Sequence, residues 1–419
     1  MTEEIVYPKF RWYILITLVI CTATTGMGLI GPAPLIPEML KTMPYDAGQL
    51  TLITMSTFNL FVALSALIGG VLLDKLGVIK VFTAGLILVA AGALLMPLIG
   101  NSFWGMIFNR FLQGCGTGPI MASSAPIAAA YFPHKERSIV TGFQGFSVAF
   151  GIVLGLLFIP RMAVAWEDWQ RALMIIGPIG IIGIIMAIII MFGPKPPEVI
   201  VEKTPEEHEA AIAHAFKRAV SLPVTWVAIA AYVIMSWIFQ AFNDVTPGYI
   251  GVPVEENLGS LGMGTVKGGE YLILAQVLFM IGSVLGGLIT EKVFKGNGRP
   301  IMATGFLMGA VFSFLVLAGP VTATPVLLIT CLTCCGFFFA FVNPQAVGYI
   351  AKNYPKEITG KLGGLATGIA IFGGFGGATV GGYLIHASGY PASIYINVMG
   401  FCILGFIVAL FLRPKNIDE

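Results

Sequence analysis

The sequence predicts an all-α membrane protein, with twelve transmembrane helices in two six-helix halves related by an internal repeat. Three observations predict it. Hydrophobic residues make up 57% of the 419 and charged residues 11%, where a soluble domain carries about 25% charge. A chain so poor in charge cannot cover a water-facing surface, so lipid must be most of its solvent. Twelve apolar stretches are long enough to cross a bilayer, which takes about 20 residues. Short motifs also recur between the two halves of the chain.

The stretches run approximately over 12–38, 49–73, 79–99, 103–131, 139–160, 169–192, 222–250, 267–290, 300–318, 325–350, 363–385 and 392–412. The first follows MTEEIVYPKFRW and is too long for the apolar region of a leader peptide, so it is expected to remain as a span. The fifth and eleventh are rich in glycine, with Gly142, Gly145, Gly151 and Gly155 in one and GGLATGIAIFGGFGGATVGG in the other. Small residues let helices approach closely and rock. The tenth contains Asn343-Pro344, which is expected to break the helix. Connections are short except after the sixth stretch.

That long connection divides the chain into residues 1–192, a cytoplasmic linker 193–220, and residues 221–419. Within the linker, Thr204 suits an N-cap, Pro205 the first helical position, Glu206 and Glu207 the positive helix end, and Lys217 and Arg218 the other end. A short surface helix is expected there. With the N-terminus placed in the cytoplasm, 18 of the 23 Lys and Arg fall on the cytoplasmic side, four fall outside, and Arg110 lies within a span. The bias predicts cytoplasmic termini and a plasma (inner) membrane location.

The repeat is read from paired residues. Gly70 and Gly287, Asp74 and Glu291, and Lys75 and Lys292 are each 217 apart. Lys135 and Lys356, like Glu136 and Glu357, are 221 apart. Parallel six-span repeats are an organisation of secondary transporters, with the solute site formed where the halves meet.

The motifs carry a resemblance as well. GGVLLDKLGVIK resembles the loop signature between the second and third helices of the major facilitator superfamily, matched by Gly70, Asp74, Lys75 and Gly77. Val78 and Ile79 replace its basic pair, with Lys80 one place later. Arg110, Gln113, Gly114 and Gly116 match the R-x-x-Q-G-x-G pattern of the fourth helix. The resemblance covers essentially the whole chain and implies the fold, a cavity lined by spans one, four, seven and ten, and alternating access. It also implies gating by Asp74, Lys75 and Gly77 with their counterparts Glu291 and Lys292. A tight turn closed by Gly77 is the plainer reading of the same loop.

Ionisable residues inside spans are costly and point to function. Arg110 lies about 10 Å inside the fourth span, on one helix face with Gln113 and Gly114. Two roles stand open for it: gripping a carboxylate with parallel hydrogen bonds, or holding backbone groups of neighbouring helices. Asp244 is the acid placed well inside a span, one turn after Gln240 and next to Asn243. Burial disfavours a charged carboxylate, which suits Asp244 to carrying a proton. The alternative is a neutral acid hydrogen-bonded near a helix break before Pro247. Thr25, Ser124, Gln240, Asn243, Asn343 and Gln345 complete the candidate substrate-binding set.

Function classes narrow accordingly. The six cysteines all lie in apolar runs, CLTCC at 331–335 included, and no histidine lies near that cluster in sequence. Packing, not metal binding or a disulfide scaffold, is expected of them. No catalytic constellation, P-loop or nucleic-acid signature is present. No cofactor is expected. The fifth span keeps Gly151 and Gly155 but has Leu156 where the superfamily's drug-antiporter signature has proline. The expectation is a monomeric secondary transporter of a small organic anion, coupled to protons or exchanging a counter-substrate. The alternative is a transporter or exporter of a neutral or cationic compound; a membrane enzyme or receptor is disfavoured.

Overall fold

The computed structural model describes residues 8–195, 206–354 and 356–412. All regular elements among the described residues are helical. Ten helices there are long and apolar enough to cross a membrane, including Arg11–Leu40, Ala47–Leu73, Pro223–Gly251 and Lys361–Ser388. Two expected spans differ. The fourth divides at Ser123 into Phe103–Ala122 and Ser124–Tyr131 and carries Asn109, Arg110 and Gln113 in its interior. The ninth, Arg299–Leu315, has 17 residues and is about 25 Å long, slightly under the hydrocarbon thickness.

The chain forms two compact units. One comprises Met1–Tyr45 and Leu52–Ile200; the other comprises Asp46–Thr51 and Val201–Glu419. In the first, Thr57–Leu76 and Val78–Ile99 pack on Phe103–Ala122, and Arg11–Ile30 packs on His134–Trp166. Ile176–Phe192 lies against Val78–Ile99 and Arg11–Ile30. The second unit follows the same plan. Thr265–Lys292 and Arg299–Leu315 pack on Pro325–Asn353, and Pro223–Gly251 packs on Lys356–Ser388. Phe401–Phe411 lies against Arg299–Leu315 and Pro223–Gly251. Each helix keeps the partners of the span six places earlier, so the sequence repeat is also a packing repeat.

Small residues make the closest of these contacts. A Cβ on Gly151 would overlap the Ala23 carbonyl of the first helix, and a Cβ on Gly373 the Val233 carbonyl of the seventh. Gly77 ends the Thr57–Leu76 helix at φ 89°, a conformation open to glycine and strained for other residues.

The expected break at Asn343-Pro344 does not occur: one helix runs from Pro325 to Asn353. Proline removes one N–H donor and crowds one carbonyl, and packed neighbours in membrane proteins absorb that as a local adjustment. Pro247 likewise lies inside the Pro223–Gly251 helix. The linker helix spans Glu206–Ser221; Thr204 and Pro205, expected to start it, lie outside the described residues. Its apolar side, with Ile212, Ala215, Phe216 and Ala219, packs into a cluster with Ile229, Ile350, Tyr354 and Leu362. His214, Lys217 and Arg218 are exposed. The Thr225 hydroxyl donates to the Ala219 carbonyl at 2.5 Å and also contacts the Tyr354 hydroxyl, fastening the linker helix to the second unit.

Candidate functional site

In the first unit the Phe103–Ala122 helix starts at Ser102, whose hydroxyl accepts from the Gly105 N–H at 3.0 Å. Two turns on, Arg110 is fully buried. Its Nε donates to the Thr54 carbonyl at 2.7 Å, and Nη1 and Nη2 both donate to the Gly28 carbonyl at 3.1 Å. Nη1 also donates to Gln113 Oε1, one turn along the same helix. The guanidinium carbon lies 4.3 Å from the Phe58 ring centre, a cation–π arrangement strengthened by exclusion of water. Thr54 belongs to a π-helical turn, Leu52–Ser56. Such a turn departs from the i→i+4 ladder, and a carbonyl there gains from an outside donor. Arg110 therefore ties three stretches of the first unit together: the first span, the π-turn and its own helix.

Elsewhere in the first unit, hydroxyls of the candidate spans turn back to their own helices. Thr25 donates to the Thr22 carbonyl at 2.7 Å, Thr24 to Ile20 at 2.9 Å and Ser123 to Pro119 at 2.6 Å. Ser124 donates instead to Gln144 of the next helix.

In the second unit, Asp244 is buried in the Pro223–Gly251 helix, and its Oδ1 accepts from Gln240 Nε2 at 2.8 Å. Asn243, also buried, donates to the Phe239 carbonyl at 2.8 Å and accepts from Gln276 Nε2 at 2.7 Å. Gln276, on Thr265–Lys292, is a polar member of the cluster outside the candidate set. A glutamine in mid-span was the available signal. Gln345 is also buried, and its Nε2 donates to the Gly286 carbonyl at 3.1 Å.

The gating candidates lie at helix ends. Lys75 is exposed in the last turn before Gly77, and Glu291 and Lys292 are exposed at the end of Thr265–Lys292. The side chains of Asp74 and Asn343 lie outside the described residues. Among the described residues Arg110 and Asp244 are the charged side chains that are buried, one in each unit. All six cysteines are free thiols. Among the described residues, no three His, Cys, Asp or Glu come together as metal ligands.

Comparison with known proteins decides the family. The model of the Major Facilitator Superfamily matches residues 18–378 and, again, 270–418. The chain belongs to the Major Facilitator Superfamily. The hexuronate transporter of Bacillus subtilis is 23% identical over 388 residues, covering 90% of this chain and 89% of that protein. The probable sulfoacetate transporter SauU of Cupriavidus necator is 24% identical, covering 91% and 88%. The quinolone resistance protein NorA of Staphylococcus aureus is 22% identical, covering 92% of each. The crystal structure of the D-xylose-proton symporter superposes with a TM-score of 0.77 at 14% identity, covering 98% of this chain and all of that one. This superfamily member is a multi-pass membrane protein and a secondary transporter of a small molecule, not an enzyme.

Proposed function

We propose that the protein carries a small organic anion, coupled to protons or by exchange, across the plasma membrane with both termini cytoplasmic, and acts as a monomer. The observation that carries this reading is the pair of buried charges, a cation in the first unit and an acid in the second. A guanidinium is permanently charged, so Arg110 supplies a fixed positive potential where few other charges compete, and Gln113 orients it. Its named hydrogen bonds run to Gly28, Thr54 and Gln113. Attraction of the anion then acts through the Arg110 charge, while Thr25, Ser124, Gln240, Asn243, Asn343 and Gln345 remain the polar groups proposed to contact the solute.

Asp244 is the proposed proton carrier. Its carboxyl is buried, and Gln240, which donates to Oδ1, can bond the carboxylate or the carboxylic acid. Asp74, Lys75 and Gly77, with Glu291 and Lys292, are the proposed gate. Two of the relatives similar over nine-tenths of the chain support the anion class: one is named for hexuronate, a sugar carboxylate, and one for sulfoacetate, a carboxylate-sulfonate.

The second reading, export of a neutral or cationic compound, is favoured by the similarity to the quinolone resistance protein. Leu156 in place of the antiporter proline weighs against it. Proteoliposomes with an imposed pH gradient separate the two. Labelled glucuronate or sulfoacetate accumulates on the first reading and a neutral sugar does not. Transport of a fluoroquinolone with no movement of either acid would replace the first reading by the second.

A further inference from the structure

An ion pair joins residues 340 apart in the chain. Asp46 Oδ2 lies 2.7 Å from His386 Nδ1. Asp46 precedes the helical turn Ala47–Thr51, and its other oxygen is already in use. Oδ1 accepts from the Gln49 N–H at 3.0 Å, while the Asp46 N–H donates to Gln49 Oε1 at 3.3 Å. This reciprocal capping box fixes the carboxylate and aims its second oxygen at the imidazole. Beside it, Gly48 lies against the backbone of His386 and Gly382 with no room for a Cβ.

The turn Ala47–Thr51 is thereby seated on Lys356–Ser388 and groups with the second unit, whereas the chain from Leu52 onward groups with the first. The change of unit coincides with the π-turn Leu52–Ser56. Turns of that kind interrupt the regular ladder and recur at functional sites.

We propose that His386 and Asp46 form a proton-operated clasp on the head of the second span, closed when the imidazole is charged and loosened when it is neutral, with Leu52–Ser56 as its joint. The pair is reachable by protons, with side-chain exposures of 49% and 35%. The groups around it leave the imidazole as the switch. Ala47–Thr51 has no ionisable side chain. The buried Tyr390, held at Gly248 and by the Leu258 carbonyl, feels the charges of Asp46 and of Glu256 on Val254–Glu256. Tyr383, exposed, lies one turn before His386. Of these side-chain types, histidine is the one whose charge changes between about pH 5 and 8. The sign follows: acid charges His386 and tightens its hold on Asp46, and alkali releases it. The clasp does not depend on which solute is carried.

The test is hydrogen–deuterium exchange on the full-length protein in nanodiscs, without substrate or gradient, corrected for intrinsic exchange rates. Peptides covering 46–56 are expected to exchange about two- to fivefold more slowly at pH 5.5 than at pH 8.5, the range for an exposed ion pair. His386→Gln flattens that difference, as does Asp46→Asn, which keeps the helix cap. Raising the salt to 1 M, at a screening length of about 3 Å, speeds exchange at pH 5.5 and leaves pH 8.5 unchanged. Equal protection at the two pH values, or a pH difference that survives in His386→Gln or is indifferent to salt, overturns the clasp. A failed solute screen bears on the proposed cargo alone, since this measurement contains no solute.

Discussion

Arg110 and Asp244 are the buried charges of the two units, and they are held in different ways. Arg110 reaches across helices to main-chain carbonyls at Gly28 and Thr54. Asp244 Oδ1 accepts from Gln240, one turn away on its own helix, and the neighbouring Asn243 accepts from Gln276 of the next helix. A permanent cation so fastened is part of the frame of its unit. A carboxyl that accepts from a neutral amide can keep that bond with or without its proton. On the function proposed above the two divide the labour, with fixed charge in one unit and exchangeable charge in the other, and that division can be broken by mutation.

The largest effect is expected at Arg110. Arg110→Met keeps the aliphatic stem but deletes three hydrogen bonds to other stretches of the unit, each worth about 0.6–2 kcal/mol in membrane proteins. Thermal unfolding in detergent should show a large drop in Tm, and transport should fall with it. Arg110→Lys retains the charge but lacks the planar fork, so it should recover part of the stability. An Arg110→Met protein as stable as the wild type would remove the framework role.

Asp244→Asn is expected to invert that pattern. Asparagine can still accept from Gln240, so stability should change by no more than about 1 kcal/mol. Gradient-driven accumulation in proteoliposomes should disappear, while exchange of labelled for unlabelled solute continues. Accumulation at wild-type level in Asp244→Asn would exclude it as the proton carrier. Gln276→Leu is expected to lie between the two in stability, losing about 0.6–1.7 kcal/mol for one interhelical bond, because it cuts the tie between Asn243 and the next helix.

The fold was largely legible in the chain because its causes are compositional: long apolar runs, few charges, and paired motifs at a near-constant spacing. The buried charges were legible for the same reason, since an arginine or aspartate in such a run stands out. Their partners were not. Gly28 and Thr54 act through backbone carbonyls, which leave no side-chain signature, and the π-turn that presents Thr54 has no marker residue. The Asp46–His386 pair joins residues 340 apart, and only the folded chain brings them together. The break expected at Asn343-Pro344 failed because proline was given the effect it has in an isolated helix, whereas Pro325–Asn353 is packed along its length against neighbours.

A last effect, smaller than that of Arg110→Met, tests whether fastening a π-turn requires a charge at all. The second unit has its own π-turn, Ile394–Gly400, and it too is held from another helix, here by neutral groups. Trp237 Nε1 donates to Asn397 Oδ1 at 2.7 Å, Asn397 Nδ2 donates to the Gly377 carbonyl at 2.8 Å, and the indole stacks on Phe401 at 4.0 Å. Trp237→Phe removes one neutral hydrogen bond and keeps a ring for stacking, so it should cost about 0.5–1.5 kcal/mol, less than Arg110→Met in the same melting assay. If the two substitutions cost the same, the charge of Arg110 adds nothing to its grip on Thr54, and its place in the first unit must be explained by the solute it attracts.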